Sequence, residues 1–298
     1  MIKIEDFISV TLKDRKLFAD HYAKFPQSHS EYVFTSLVSW SHYTPAFYLF
    51  RENDLILMTM RDGKAQFRPP IGVRRESVLR EVLDLAKKDG GARPLIAIDK
   101  EAKDWIQTLY PEMRLTEDRD FFDYVYLAES LAKLPGKHYL THRNHLNKFR
   151  KRYNYSVERI APADIVEVGK FLQKWCLWRD CKSEPMLEAE RTAILFCIDH
   201  FFEMMLSGIV IRIDGEIQAL SVYEPMNAET AVIHFEKAIT DYEGMYPAIN
   251  NEAAKILSKG YKYINRESDL GIPGLRTAKE RLHPDHMVKV YYTDKEEL

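Results

Sequence analysis

The alternation of apolar and polar residues predicts two successive sets of elements with the same order. In the first half, the hairpin signals Asn53-Asp54 and Asp62-Gly63 separate three short β-rich runs. A segment with apolar residues at helical spacing follows these runs. The predicted elements are strands at 46–51, 55–60 and 65–68, a helix at about 75–88 and a further strand at 94–98.

The second half repeats this order without repeating the residues. Asp214-Gly215 joins its first two strands, and its later helix has Pro247 in the first turn and Gly260 just past the end. Two helical segments precede the strands. The predicted elements are helices at 164–178 and 187–206, strands at 208–213, 216–224 and 230–237, a helix at 247–259 and a strand at 261–265.

The repeated order predicts an α+β protein with mixed sheets that arose by tandem duplication. A chain of 298 residues is long for one hydrophobic core and natural for two domains. We predict a first domain at 1–130 and a second at 131–298. The only linker signal is Leu134-Pro135-Gly136, so the two halves are expected to pack against each other.

A dense set of polar residues lies where the last predicted strand ends. Strand residues alternate between faces, so Asn265, Glu267 and Asp269 are expected to project to one side. A helix begins near Leu275, and its apolar stripe leaves Lys279 at the edge. A solvated sheet edge would explain any one of these residues, but the cluster as a unit favours a functional site.

His234 and Glu236 are further candidates for substrate binding. They alternate along the strand predicted at 230–237 and share one of its faces. A histidine on a sheet more often makes a structural hydrogen bond, and nothing else in the sequence marks a base here. The structural interpretation is therefore the stronger one for these two residues.

A basic stripe runs through the middle of the chain. Between Ser130 and Val157 there are seven cations and no acid, and Thr141 is placed to cap a helix that carries most of them. Charge runs of this kind are usually solvated helix faces, but they also suit contact with phosphates. The cations are Lys133, Lys137, Arg143, Lys148, Arg150, Lys151 and Arg152, of which the last four are the candidate polyanion-binding residues.

Composition restricts the class of protein. Apolar residues make up 46% of the chain, which allows a substantial core, and the formal charge of −2 argues against a generally basic nucleic-acid protein. Cys176, Cys181 and Cys197 form no CxxC pair, so we expect them to pack in the core of a protein in a reducing compartment. No segment approaches the roughly 18 consecutive apolar residues of a membrane span, and a cytoplasmic location is expected.

Two stretches of the chain resemble one protein family. NRESDLGIPGLRTAK, residues 265–279, resembles the closing motif of the DUF2156 family, whose members are similar to the C-terminal catalytic domain of phosphatidylglycerol lysyltransferases. The matching positions in this ending are Gly274, Leu275, Arg276, Lys279, Pro284 and Tyr291. The stretch at 123–158 resembles the family's linker, notably at Leu131, Leu134, Gly136, Lys137, Arg143, Asn144 and Phe149.

The resemblance implies a tandem pair of acyl-CoA N-acyltransferase-like (GNAT) domains. It also implies similarity to the Fem peptidyltransferases, which take an amino acid from aminoacyl-tRNA. On this basis Lys279 is the candidate catalytic cation, and Glu267 and Asp269 would hold the donor's ammonium or orient the acceptor. Asn265 and Arg276 are then candidate substrate-binding residues.

The linker and the turn at 240–248 indicate which donor and which cofactor to expect. Arg143 and Asn144 in the linker would clamp a phosphate-bearing donor. Acetyl-CoA users of this fold cradle the pyrophosphate with backbone amides at a glycine-rich turn, whereas the corresponding turn at 240–248 has one glycine, two acids and a proline. No cofactor is therefore expected, CoA included. No spacing typical of a metal site is present, so no metal is expected either.

The leading hypothesis is an aminoacyl or acyl transferase that uses an aminoacyl-tRNA-type donor. The acceptor would be an amine or a hydroxyl, on a lipid headgroup or a peptide. One alternative is a non-catalytic GNAT-like module that binds RNA or a small ligand, because no general base is certain. The other is an acetyl-CoA-dependent N-acetyltransferase.

Overall fold

The chain folds into two compact units. A computed structural model describes residues 1–181 and 184–298. The first unit comprises Met1–Asp123, Ser268–Ile272 and Val288–Leu298, and the second comprises Tyr124–Glu267 and Pro273–Met287. Each unit is organised around one mixed sheet.

The sheet of the first unit has seven strands in the order β1-β2-β3-β4-β5-β14-β6. All neighbouring strands are antiparallel except β4 and β5, which are parallel. The strands are β1 (Ile8–Ser9), β2 (Ala46–Arg51), β3 (Asp54–Arg61), β4 (Lys64–Phe67), β5 (Gly90–Ile98), β6 (Thr116–Glu117) and β14 (Tyr291–Thr293).

Helices pack on this sheet and contribute to its core. Residues three and four apart on α3 bury an apolar stripe of Val78, Leu79, Val82 and Ala86 against Phe67 and Leu95 of the sheet. The helices of the first unit are α1 (Arg15–Tyr22), α2 (Phe34–Ser39), α3 (Glu76–Asp89) and α4 (Lys100–Leu109).

The sheet of the second unit has seven strands in the order β13-β7-β12-β11-β10-β9-β8. Here β11 and β12 are the parallel pair. The strands are β7 (Asp123–Leu127), β8 (Tyr155–Arg159), β9 (Ser207–Ile213), β10 (Glu216–Pro225), β11 (Thr230–Ala238), β12 (Tyr263–Asn265) and β13 (His286–Val288).

The core of the second unit lies between its sheet and α9. Buried Ile249, Ala253 and Leu257 of α9 join one apolar cluster with Phe149 of α6 and Ile264 of β12. The helices of this unit are α5 (Ala128–Lys133), α6 (Leu140–Arg152), α7 (Ile165–Arg179), α8 (Pro185–Asp199), α9 (Met245–Leu257) and α10 (Pro273–Glu280).

The two sheets are topological copies of each other. Read from β8, the second sheet repeats the first strand by strand, with the fourth and fifth strands parallel in both. In both sheets the sixth strand is out of chain order, since β7 precedes the other strands of its sheet and β14 follows those of its own. The predicted fold class, a mixed α/β tandem duplication, is confirmed.

The division into units differs from the boundary predicted at Ser130. Tyr124, Val125 and Tyr126 are almost completely buried in β7, which pairs with β12 in the second sheet. At the other end of the chain, β14 pairs with β5 in the first sheet. These pairings join residues far apart in sequence, so local periodicity carries no sign of them.

Other differences are local. Helix α6 begins at Leu140, with Tyr139 rather than Thr141 at the N-cap, and α8 ends at Asp199 because residues 200–205 form turns. Cys176 and Cys181 form a disulfide, so the expectation that all three cysteines serve only core packing is wrong for this pair. Cys197 is buried, as expected of a core residue.

Candidate functional site

A buried histidine between two glutamates lies in the second unit. His234 Nδ1 is 2.8 Å from Oε1 of Glu267, and its Nε2 is 2.9 Å from Oε1 of Glu224. The His234 side chain is only 2% exposed, whereas that of Glu267 is 30% exposed. Carboxylates only accept hydrogen bonds, so both ring nitrogens of His234 donate and the ring is an imidazolium. We call Glu224, His234 and Glu267 the carboxylate–imidazolium triad.

The electrostatics of the triad fix its protonation state. Burial by itself would lower the pKa of His234, but the hydrogen bonds to Glu224 and Glu267 and their negative charges outweigh it and raise the pKa to about 10. His234 is therefore charged at neutral pH. It cannot serve there as a general base, and it holds Glu267 in place instead.

The strand register explains why these three residues meet. Glu224 on β10 lies opposite Val232 on β11, so it is a diagonal neighbour of His234 two residues further on. Val232 also lies opposite Asn265, the last residue of the parallel strand β12. Glu267 follows two residues later, beyond the carboxyl end of β12.

The segment after β12 leaves the strand path at Glu267. Glu267 has a φ of 58°, and its backbone N–H donates to Oδ1 of buried Asn265 at 2.7 Å. Lys279 Nζ donates to the carbonyl oxygens of Arg266 at 2.6 Å and Glu267 at 3.1 Å. The unusual backbone conformation of Glu267 is thus held from both sides, by an amide and by a buried ammonium.

Lys279 is the buried residue of α10, contrary to the predicted stripe. Ala278 is exposed and Leu275 is only half-buried, while Lys279 is 9% exposed. Its ammonium lies 5.7 Å from the centre of the Tyr124 ring, and its carbonyl accepts from the Tyr126 hydroxyl at 2.8 Å. Helix α10 therefore turns its lysine inward, because the carbonyls after β12 provide polar partners there. Arg276 on the same helix is half-buried.

Glu236 belongs to a second buried ion pair beside the triad. Its Oε2 accepts a hydrogen bond from Arg266 Nη2. Two atoms of this pair, Glu236 Oε1 and Arg266 Nη1, are buried without a hydrogen-bond partner in the described part of the chain. Ser221, directly opposite Glu236 in the sheet, also has a buried hydroxyl without a partner there. The predicted pair His234 and Glu236 thus lies in a polar region of the sheet.

Sequence reasoning missed five residues of this region. Lys237 Nζ pairs with Glu190 at 2.6 Å and lies 4.5 Å from the centre of the Trp175 ring. The signal for Glu224 was available, because the short turn between β10 and β11 fixes its register with His234. Arg266, Glu190 and Trp175 gave no comparable signal, since their contacts depend on tertiary packing.

Asp269 lies in the first unit rather than with the triad. It is fully buried, Arg119 Nη1 donates to its Oδ2 at 3.0 Å, and the Gly271 N–H donates to its Oδ1 at 2.9 Å. The structure therefore brings Asn265, Glu267 and Lys279 together in the second unit and gives Asp269 separate partners.

The linker candidates differ from each other in environment. Arg143 Nη1 donates to the carbonyl oxygens of Leu134 and Gly136, and so ties the predicted linker turn to α6. Asn144 is exposed and lines a shallow depression of about 440 Å³ along α6, together with Lys148 and Lys151.

In the structure the basic stripe contacts acidic residues that lie far from it in sequence. Glu243 lies 4.0 Å from Lys148 and 3.6 Å from Arg152, and Glu252 lies 3.3 Å from Arg150. These pairs reduce the local positive charge. Three aromatic residues of the same segment, Phe149, Tyr153 and Tyr155, pack against one another or against Tyr242, with ring centres 5.0–5.2 Å apart, and serve the core.

The turn before α9 has a structural reason for its glycine. Gly244 has a φ of 88°, and a Cβ there would lie 2.9 Å from the His145 carbonyl oxygen and 3.1 Å from Phe149 Cβ. Glycine is therefore required by the close approach of α6.

Two further features are absent from residues 1–181 and 184–298. No group of three or more acidic, histidine or cysteine side chains is arranged to hold a metal ion. None of the helices described has the length and apolar character needed to cross a membrane.

Comparison with known proteins places the chain in a family. The family model "Phosphatidylglycerol lysyltransferase, C-terminal" matches residues 22–293. A protein of unknown function from Bacteroides thetaiotaomicron is 30% identical, with a TM-score of 0.90 over 97% of this chain and 98% of that one. A search of the curated proteins finds no match.

Two more distant structures share the fold. One is assigned as the C-terminal DUF2156 domain of a lysylphosphatidylglycerol synthetase from Agrobacterium fabrum, with 15% identity and a TM-score of 0.66 over 95% of this chain and 91% of that one. The other is L-PGS from Bacillus licheniformis, with 15% identity and a TM-score of 0.62 over 94% and 91% of the two chains.

Proposed function

Because the chain belongs to the family of the C-terminal domain of phosphatidylglycerol lysyltransferases, we propose that it is an aminoacyl transferase. The donor is of the aminoacyl-tRNA type, and the acceptor is an amine or a hydroxyl. The observation that carries the proposal is the carboxylate–imidazolium triad, which presents one partly exposed carboxylate, Glu267, from a buried and charged support.

Glu267 is the general base that accepts the proton of the nucleophile. Its Oε1 is engaged by His234, and no protein hydrogen bond to its Oε2 occurs in residues 1–181 and 184–298. In the proposed reaction Oε2 accepts a hydrogen bond from the acceptor's amine or hydroxyl and takes its proton as the nucleophile attacks the acyl carbon. The new bond to that carbon forms as the ester bond to the donor's ribose breaks, and the proton passes to the ribose oxygen.

The surrounding cations stabilise the charge that the attack creates. Negative charge develops on the carbonyl oxygen, and fixed positive groups in a water-poor site stabilise it more strongly than water does. Lys279 supplies such a charge and also fixes the backbone of Glu267. Asn265 holds the Glu267 amide, while Arg266 and Glu236 form the neighbouring polar wall. The Asp269 carboxylate stabilises the turn at 269–271 by accepting a hydrogen bond from the Gly271 N–H.

The arrangement favours proton transfer through a carboxylate over histidine catalysis. With both nitrogens donating to carboxylates, His234 has no lone pair with which to accept a proton. His234 is therefore a positioning residue in this proposal, and its loss should act through Glu267.

The test is a transfer assay with two acceptor arms. Unfractionated tRNA charged with radiolabelled amino acids is incubated with the protein and with either phosphatidylglycerol vesicles or an amine-bearing peptide. The proposal expects label to move from tRNA to one of the acceptors faster than it is released without protein. Intact aminoacyl-tRNA in both arms, across all amino acids, would contradict it.

A further inference from the structure

A cavity of about 370 Å³ lies in the first unit where its two parallel strands diverge. The last register pair between β4 and β5 is Phe67 with Leu95, after which one chain continues into the segment 69–72 and the other into α4. Both segments line the cavity. Crevices beyond the carboxyl ends of parallel strands are the usual ligand sites of such sheets, and the volume falls within the range for small molecules.

The backbone around the cavity is strained on both chains that leave the strands. Arg74, which lines the cavity, has a φ of 61°, and Ala97, at the end of β5, has a φ of 52°. The Ala97 carbonyl accepts from the hydroxyl of Tyr32, another lining residue, at 2.6 Å. Left-handed conformations are unfavourable at residues other than glycine, and they cluster at functional sites such as ligand clamps.

The charges of the cavity match a zwitterion. Of its four charged lining residues, Arg74 and Glu101 pair with each other at 3.1 Å. Lys24 and Asp99 also line it, and neither has an ion-pair partner in the described chain; Asp99 uses one oxygen to cap Ala102 N–H at 2.7 Å. The cavity thus retains one uncompensated cation and one uncompensated anion.

Apolar side chains form part of the remaining wall, which Tyr32, Gly72, Ala102 and the Gln27 amide complete. The apolar residues are Phe25, Pro26, Pro69, Pro70 and Ile71. Prolines have no N–H group, so the segment after β4 cannot cradle a phosphate as a glycine-rich turn does. A nucleotide or other phosphate ligand is therefore a poor match, whereas a small molecule with an apolar part is a good one.

We propose that this cavity binds a free α-amino acid with an uncharged, apolar side chain. Its ammonium pairs with Asp99, its carboxylate pairs with Lys24, and its side chain packs against Phe25 and the prolines. This site lies in the first unit and performs no transfer chemistry, so it goes beyond the proposed function and does not depend on it.

The test is calorimetric titration of the full chain with leucine, phenylalanine, lysine and glutamate. Two analogues of leucine remove one charge each: N-acetyl-leucine lacks the ammonium, and leucinamide lacks the carboxylate. We expect leucine and phenylalanine to bind at least tenfold more tightly than the two analogues and the two charged amino acids. Absence of binding by all four amino acids, or equal binding of leucine and its analogues, would overturn the proposal.

Matched variants locate the site. Asp99→Asn removes the charge and keeps a residue able to cap α4, and Lys24→Gln removes the cation from an exposed position. Each should weaken leucine binding at least tenfold. Lys100→Gln, an exposed lysine outside the cavity lining, should change nothing. Unchanged leucine affinity in both Asp99→Asn and Lys24→Gln would place the binding elsewhere and refute the assignment.

Discussion

The buried imidazolium predicts an unusual dependence of stability on pH. The folded state holds the His234 proton with a pKa of about 10, whereas an ordinary histidine has a pKa of 6.5. Between these values the folded chain binds one proton more than the unfolded chain. The resulting stabilisation is fully present below pH 6.5 and is lost as the pH rises towards 10, at up to about 1.4 kcal/mol per pH unit. The whole window corresponds to at most about 5 kcal/mol.

The perturbation is His234→Gln, which replaces the cation with a neutral amide. It leaves Glu224 and Glu267 facing each other without the charge between them, and breaking a buried ion pair costs roughly 3–5 kcal/mol. At pH 7 the variant should therefore be less stable by about that amount, and the difference should shrink by about 2 kcal/mol or more at pH 9.

The assay is urea unfolding followed by circular dichroism at pH 7 and pH 9. His200→Gln is the matched control, because His200 also pairs with a glutamate, Glu203, but on the surface, where the His200 side chain is 36% exposed. This control should differ little from the parent chain at either pH. If the parent and His234→Gln lose stability in parallel from pH 7 to pH 9, the imidazolium assignment is refuted.

Three further predictions concern Lys279, the basic stripe and CoA. Lys279→Met should lower the free energy of unfolding by roughly 2–4 kcal/mol, because two charge-assisted hydrogen bonds are lost. It should also slow transfer about a hundredfold. A variant of unchanged stability in urea would contradict this prediction. Changing Arg150, Lys151 and Arg152 together to Ala should weaken tRNA binding. The slope of log affinity against log salt concentration should fall by less than about three, since Glu243 and Glu252 already neutralise part of the stripe. Unaltered affinity in titrations at several salt concentrations would make the stripe a solvated face. Calorimetry should show no tight binding of CoA at the Gly244 turn, and low-micromolar affinity abolished by altering this turn would contradict the aminoacyl-donor assignment.

Local patterns predicted the regular elements well because each depends on its own residues. The strand at 46–51 matches β2, and the helix at about 75–88 matches α3 within one residue at each end. The sheets that β7 and β14 join could not be predicted in this way. Their partners lie far along the chain, and two-residue alternation in a short strand does not say which sheet it joins.

The candidate site shows the same limit. Strand alternation predicted that Asn265 and Glu267 project to one side. In the structure β12 ends at Asn265, and Glu267, itself in a left-handed conformation, contacts His234. Helical phase placed Lys279 at the edge of an apolar stripe, but on a helix of only eight residues the carbonyls of the facing segment decide which side is buried.

The most direct test of the central claim compares two glutamate substitutions in the transfer assay. Glu267→Gln keeps the size of the side chain and removes the proton acceptor, whereas Glu203→Gln makes the same change at the surface glutamate that pairs with His200. The account predicts that Glu267→Gln transfers label from aminoacyl-tRNA at least a hundredfold more slowly than the parent, while Glu203→Gln transfers it at the parent rate. Equal transfer rates for the two variants would contradict the assignment of the site.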